Sequence, residues 1–334
     1  MRLIYDISRC GSENAVLIGA TRLLRALSCH IDVSIVATGE MSEISDATLD
    51  LFLGRDVRRV ARDRLAAAGR PRRWDAAIAL TPAFDLEMAV SGGPSVVRAL
   101  TAGVDRAVFY PCPGVHDKWD IRRSDHVGLA FLPHQCWVRQ YIVKLIGALT
   151  ESRRLGVRWT LVCKVAADHG RLLDLTNELV GDAVRSGTIS RRWWNCVQRE
   201  GSLKWLEEDL DLDEMRNLYN TVDFLIKPGS SSTTGAAISE ATACGVPTIT
   251  GSLCVHPGNA LVNRLPLSRS PAGEVYPPSA MDLAEAVLNL KARRNNRNRQ
   301  RGIQYAQTTL SWDSLAREIV GILRLLQASR GVGH

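Results

Sequence analysis

The residues best placed to do chemistry lie at 222–250, VDFLIKPGSSSTTGAAISEATACGVPTIT. An apolar run ends at Pro228 and is followed by a loop of small residues, Gly229 to Gly235. A helix is expected from near Ala236 to Cys244-Gly245, and Val246-Pro247 leads into the next strand. Small residues let a backbone approach a ligand closely, and a helix N-terminus offers unpaired N–H groups at its positive dipole end. Hydroxyl donors at Ser232, Thr233 and Thr234 add to those groups ahead of Gly235. Glu240 lies five residues past Gly235, so the same helix carries its carboxylate beside that loop. The pattern suits a phosphorylated ligand. An ordinary strand-to-helix connection is the other reading that spacing allows.

Charge marks two further regions. The chain carries a net charge of +7, from 42 Lys and Arg against 35 acids. Residues 1–120 hold 15 bases and 15 acids, so the remainder holds all the excess. Residues 55–73 nevertheless contain eight Arg against two Asp, and residues 291–301 contain six bases and no acid. Such clusters suit a polyanion or an acidic membrane surface, though for a single cluster a solvated helix face is the simpler reading.

The elements that must position these residues follow from apolar periodicity. The first half reads as a strand at Leu3–Ile7, a turn at Arg9–Asn14, a helix through Leu23, Leu24 and Leu27, and a strand at Ile31–Ala37. Residues 55–69 read as an amphipathic helix, with Val57, Val60, Ala61 and Leu65 inward and Arg55, Arg58, Arg59 and Arg62 outward. Strands are expected at Ala76–Leu80 and Val108–Tyr110, the latter stopped by Pro-Cys-Pro-Gly at 111–114. A second series then runs strand 126–132, helix 138–153, strand 158–165, helix 172–184, a helix opening at 215–219, strand 222–226, helix 238–244 and strand 248–250. Helices at 281–293 and 312–327 close the chain. Such alternation predicts an α/β protein with parallel sheets covered on both faces, in two Rossmann-like halves with a cleft between. The expected division is 1–115, 116–310 and a closing segment 311–334, with Pro111–Arg123 as the hinge.

Composition excludes several classes. With 46% hydrophobic and 23% charged residues the chain is neither disordered nor collagen-like. No window approaches a membrane span, and MRLIYDIS lacks the layout of a signal peptide. The eight cysteines form no CxxC pair and read as free thiols of a reducing, cytoplasmic setting. No His/Cys/Asp cluster has metal-ligand spacing, and GxSxG and GxxxxGKS are absent. Asp209-Leu210-Asp211 and Asp211-Leu212-Asp213 spell a DxD, but KWLEE ahead of them is amphipathic rather than a buried strand. Asp211 with Glu214 reads better as a helix capping box. Trp193-Trp194 beside Arg191 and Arg192 could stack on bases or sugars; a half-buried pair packing on its own domain is the simpler reading.

Pro228, Gly235, Glu240, Ala241, Ala243, Gly245, Val246 and Pro247 stand at the offsets of a known signature. In it the chain resembles GT-B fold glycosyltransferases, in particular the retaining family 4. DLDEMRNLYNTVDFLIKP at 211–228 is similar to the helix and strand that precede the signature. LSWDSLAREIVGIL at 310–323 resembles the closing helix, and PCPGVHD at 111–117 the interdomain turn. The likeness covers residues 111–325, while the first 110 share only the strand–helix order.

The resemblance implies a GT-B architecture with a nucleotide-diphosphate sugar as co-substrate, retention of configuration, and no metal or other cofactor. Glu240 takes the ribose-binding position, and Ser232 stands where the family has a sugar-contacting Glu. The pyrophosphate-gripping loop falls on Pro133-His134 and Arg139, which makes His134 and Arg139 the groups that stabilise the departing diphosphate. The loop Arg9-Cys10-Gly11-Ser12 corresponds to a Gly-containing turn facing the donor phosphates, so Gly11 joins the donor site. The acceptor stays open between two readings. One is a hydroxylated base in double-stranded DNA of the phage type, slightly favoured and contacted by Arg58, Arg59 and Arg62. The other is a glycan or lipid at an anionic membrane. A nucleotide-sugar binder without turnover is a third possibility, because Ser232 replaces the Glu.

Overall fold

A computed structural model describes residues 2–6, 23, 26, 29, 32–36, 57–60, 77–79, 97–99, 103–115, 117–121, 126–132, 135–165, 169–227, 236–251, 259–265, 268–269, 275–276, 278–293 and 296–331. The chain divides into two compact units. The first comprises Met1–Asp105, Thr233–Ala236 and Gln307–His334, and the second comprises Arg106–Ser232 and Ala237–Ala306.

In the first unit, β1 (Arg2–Asp6), β2 (Asp32–Val36) and β3 (Val57–Val60) form a parallel sheet in that order. β4 (Ala77–Ala79) and β5 (Val97–Ala99) form a separate parallel pair. β3 corrects the sequence expectation, which placed Arg58 and Arg59 on a helix. Their backbone instead pairs in register with Ser34 and Ile35 of β2. Valines at 57 and 60 are strong strand formers, and a neighbouring edge to pair with overrides a weak helical period. The helix expected between β1 and β2 is present at Leu23 and Ala26, both buried. Val104 N donates to Leu310 O (2.7 Å) in a parallel bridge at the start of the closing segment.

The second unit begins at Arg106, ahead of the division expected at 116. Val108–Tyr110 is not a strand, since residues 106–108 form a turn. The core of this unit is a six-stranded parallel sheet, ordered β11-β10-β9-β6-β7-β8. In chain order its elements start with β6 (Val127–Leu132), α1 (Gln135–Arg154), β7 (Thr160–Val165), α2 (His169–Arg185), α3 (Arg191–Arg199) and β8 (Leu203–Leu206). Next come α4 (Leu212–Thr221), β9 (Phe224–Lys227), α5 (Ala236–Ala243), β10 (Thr248–Gly251) and β11 (Val262–Leu265). An antiparallel pair, β12 (Ser268–Arg269) and β13 (Val275–Tyr276), precedes α6 (Ala280–Arg293) and α7 (Asn296–Thr308). α8 (Trp312–Gly331) ends the chain and belongs to the first unit.

The central strands β6 and β7 are buried at nearly every residue, the continuous apolar reading of a parallel strand covered on both faces. α1 lays Val138, Ile142, Leu145, Ile146 and Leu149 into the core, each at most 2% exposed. Burying each such side chain contributes about 1.5–3 kcal/mol, which makes α1 the main cover of the sheet. α1 stops where Gly156 turns to φ +84° and Val157 N reaches back to Ser152 O (2.8 Å). Trp159 and Phe224, both buried, pack tilted with ring centres 5.4 Å apart over Gly128, where only a residue without Cβ fits.

Seven elements escaped the sequence reading: β5, β8, β11, β12, β13, α3 and α7. β8 has a half-exposed edge pattern, α3 is short, and α7 grows out of the Arg/Asn-rich tract. β8 means that a strand does precede the DxD. Asp211 is nonetheless spent as a helix N-cap, accepting from Glu214 N (2.8 Å) while Glu214 accepts from Asp211 N (3.2 Å). Asp213 pairs with Arg216 at 2.8 Å. The expected capping box is present.

Candidate functional site

Strand order locates the site independently of any motif. From β6 the chain moves one way along the sheet to β7 and β8, then returns to lay β9, β10 and β11 on the other side. β6 and β9 are neighbours, with Gly128 opposite Phe224 and Ala130 opposite Ile226. The connections leaving their C-terminal ends therefore diverge, and such a switch point opens the crevice where α/β sheets take ligands. β6 ends there at Leu132 and β9 at Lys227. The segments that follow them, 133–134 and 228–235, are those singled out by the sequence and lie outside the described residues.

α5 follows β9. Its single strong acid, Glu240, is half-buried, and Glu240 Oε2 accepts a hydrogen bond from the Tyr219 hydroxyl at 2.9 Å. Tyr219 sits in the last turns of α4, fully buried, with Phe109 at 6.0 Å and Phe131 at 6.2 Å between ring centres. Burial first, then the Glu240 charge and hydrogen bond, raise the Tyr219 pKa well above the usual phenol range. Cys244, just past the end of α5, is buried, and this together with the Glu240 charge pushes its thiol up to about 12. Neither group ionises near neutral pH, so Glu240 faces two neutral neighbours.

α5 ends as the sequence predicted. Gly245 adopts φ +77°, and Val246 N reaches back to Ala241 O (2.8 Å). A Cβ at Gly245 would lie 2.8 Å from Arg299 Nε of α7, so a guanidinium crosses the C-terminal end of α5. A cation there complements the negative end of the helix dipole.

Residues 110–112 are tied to α4. Asn220 Nδ2 donates to Tyr110 O (3.1 Å), Asn220 Oδ1 accepts from Cys112 N (2.7 Å), and Arg216 lies over the Tyr110 ring at 4.9 Å. These bonds explain why the second unit starts before the Pro-Cys-Pro-Gly turn. Gly114 in that turn has φ +76°.

The structure places Glu240 on α5, the helix that follows β9, and Arg139 in the first turns of α1, exposed, on the helix that follows β6. His134, Gly11, Ser232, Thr233, Thr234, Gly235 and Arg62 lie outside the described residues. Arg58 and Arg59 are described only as backbone of β3. Trp194 packs on the core of the second unit, while Trp193 stays half-buried under Arg192 at 5.2 Å. Sequence reasoning missed Tyr219, Arg216 and Asn220. Their signal was a cluster of polar residues, RNLYN at 216–220, on a helix read only for its apolar face. It also passed over Lys227, which ends β9 at the switch point. Among the described residues no helix is long and apolar enough to cross a membrane.

No family model matches the chain, and no curated protein does either. Solved structures do. Sucrose-phosphate synthase from Thermosynechococcus elongatus aligns with a TM-score of 0.58 at 14% identity, over 98% of this chain and 99% of its own. WaaG, a glycosyltransferase involved in lipopolysaccharide biosynthesis, aligns with 0.55 at 13% identity, over 96% and 100%. The pneumococcal O-GlcNAc transferase GtfA aligns with 0.50 at 10% identity, over 94% of this chain and 60% of its own. At such identities the likeness lies in the fold. The chain has the α/β fold of GT-B glycosyltransferases.

Proposed function

We propose that the chain is a retaining, family 4-like glycosyltransferase that moves a sugar from a nucleotide-diphosphate sugar to an acceptor hydroxyl, without a metal ion or other cofactor. The observation that carries this reading is the coincidence of the signature with the strand-order switch. Glu240 follows β9 and Arg139 follows β6, the two strands that meet there. Glu240 receives the ribose hydroxyls. Arg139, His134 and the backbone N–H groups of Ser232, Thr233, Thr234 and Gly235 stabilise the departing diphosphate, where negative charge grows as the glycosidic bond breaks. Gly11 stays among the proposed donor-binding residues on its sequence position alone, since a glycine lets a ligand approach the backbone closely. Of the structural neighbours, the pneumococcal transferase is in complex with UDP and GlcNAc, so UDP belongs among the first probes.

For the acceptor we favour a hydroxylated base in double-stranded DNA, met by a basic surface. Arg58, Arg59 and Arg62 of the first unit are the contacts proposed for it, now without the helix face first assigned to them. The second unit has basic residues of its own: α7 carries Arg297 and Arg301, exposed and one helical turn apart on a helix without an acidic residue. Among the described residues no carboxylate pairs with either. A glycan or lipid at an anionic membrane would use the same charges, and salt-dependent binding to duplex DNA against anionic vesicles separates the two. Ser232 in place of the family Glu favours one further reading, a nucleotide-sugar binder without turnover. Free thiols at Cys29, Cys112, Cys163, Cys196 and Cys244 suit a reducing compartment, and the cytoplasm is the proposed place of action.

The test is a panel of nucleotide sugars read by melting temperature, followed by hydrolysis of whichever one stabilises the protein. Glu240→Ala is expected to weaken binding of that donor by about 1.5–3 kcal/mol, the usual value of a hydrogen bond to a charged group. Stabilisation by no nucleotide sugar, or unchanged affinity in a folded Glu240→Ala variant, refutes the reading. Stabilisation without hydrolysis or transfer selects the binder.

A further inference from the structure

One polar contact that holds Glu240 comes from a residue outside the signature. A Glu side chain has three torsions to order, and at a half-buried position on a helix several rotamers compete. Here one carboxylate oxygen is tied at 2.9 Å to the hydroxyl of Tyr219, whose ring is fully buried between Phe109 and Phe131. The ring cannot swing, and the hydroxyl stays protonated, because burial and the adjacent carboxylate oppose its ionisation. Phenylalanine would fill the same space. The hydroxyl is therefore needed for the carboxylate rather than for packing.

We propose that Tyr219 is a positioning residue: it holds the Glu240 carboxylate in one orientation before the ligand arrives, and so sets the preference for nucleotides that carry ribose hydroxyls. The inference rests on the ribose role proposed for Glu240. Pre-ordering a side chain removes an entropic cost that would otherwise be charged against each hydrogen bond it makes. The effect is confined to the ribose end of the ligand, which distinguishes it from a general loosening of the site.

The test compares binding of two ligands by calorimetry on the full chain. The tightest binder among UDP, GDP and ADP is paired with its own 2′,3′-dideoxy analogue. The wild-type protein is expected to prefer the ribonucleotide about tenfold or more, equivalent to about 1.4 kcal/mol. Tyr219→Phe should cut that ratio to about threefold or less while binding of the dideoxy form changes little. Glu240→Ala should bring the ratio close to one, and adding Tyr219→Phe to it should change nothing further. A residue that merely packs would weaken both ligands alike and leave the ratio intact. If Glu240→Ala loses the preference but Tyr219→Phe keeps it, the positioning role is overturned and the ribose role stands. If Glu240→Ala keeps the preference, the ribose role fails and the positioning role with it. Should Tyr219→Phe not fold, 3-fluorotyrosine at position 219 keeps the volume and supplies a stronger donor. A ratio at or above wild type then supports the proposal, and a lower one overturns it.

Discussion

Gly128→Ala offers a severe test of the packing beneath the candidate site. Gly128 lies in β6 opposite Phe224 of β9, the strand pair that defines the switch point. A Cβ at this position would stand 2.4 and 2.7 Å from Phe224 ring atoms and 2.9 Å from Trp159 Cζ3. Real Cβ contacts are never that short, so something must move. The strand backbone is bonded on both sides, to β7 and to β9, and cannot retreat. The obstacles are rigid rings, 1% and 3% exposed, already packed against each other at 5.4 Å between centres. Overpacking of a close-packed core costs about 1–3 kcal/mol, and a site with no soft neighbour belongs near the upper end. For a unit of roughly 200 residues each kcal/mol moves the melting temperature by about 2–4 °C, so a fall of about 6–12 °C is expected. Calorimetry on the full chain reads this directly. Phe224→Leu opens space on one side, so the double variant should lose less than the two singles combined, with a coupling of about 0.5–3 kcal/mol. A Gly128→Ala protein melting within a degree of wild type would show that the rings do not close over β6.

Gly245→Ala meets a different obstacle, because Arg299 is long and exposed and can withdraw while the backbone cannot leave φ +77°. The cost is that of a left-handed alanine, about 1–2 kcal/mol, and a melting temperature equal to wild type would show that α5 does not end in this turn. Arg139→Ala should lower turnover more than donor affinity, with Arg139→Glu lower still, since the leaving diphosphate gains charge in the transition state. Equal rates for all three proteins would remove Arg139 from the donor site. Cys244 links stability to alkaline pH. Its thiol titrates near 9.0 when unfolded and at about 12 in the fold, so the unfolded chain releases its proton first. Stability from this group is complete below about pH 9 and is lost as pH rises toward 12. Urea titrations should therefore show a shallower alkaline decline in Cys244→Ala, and identical slopes would show that the thiol is not buried.

What the sequence by itself determined was local. The capping box at Asp211 and Glu214 needs only two side chains three residues apart, and the Gly245 turn needs only a residue free to take positive φ. Parallel strands buried on both faces announce themselves as apolar runs, so β6, β7 and β9 were legible within a few residues. The signature around Glu240 was readable because small residues, a helix start and an acid fall within one short window. Tertiary structure alone decided which strands are neighbours. Hydrogen bonds between parallel strands join residues far apart in the chain, and nothing in β6 or β9 separately states that Gly128 will face Phe224. For the same reason Val57–Val60 became a strand. Its pattern fits both periods weakly, and the open edge of β2 settled the choice. The Tyr219–Glu240 bond is another product of assembly. It spans 21 residues and two helices, joining α4 ahead of β9 to α5 behind it.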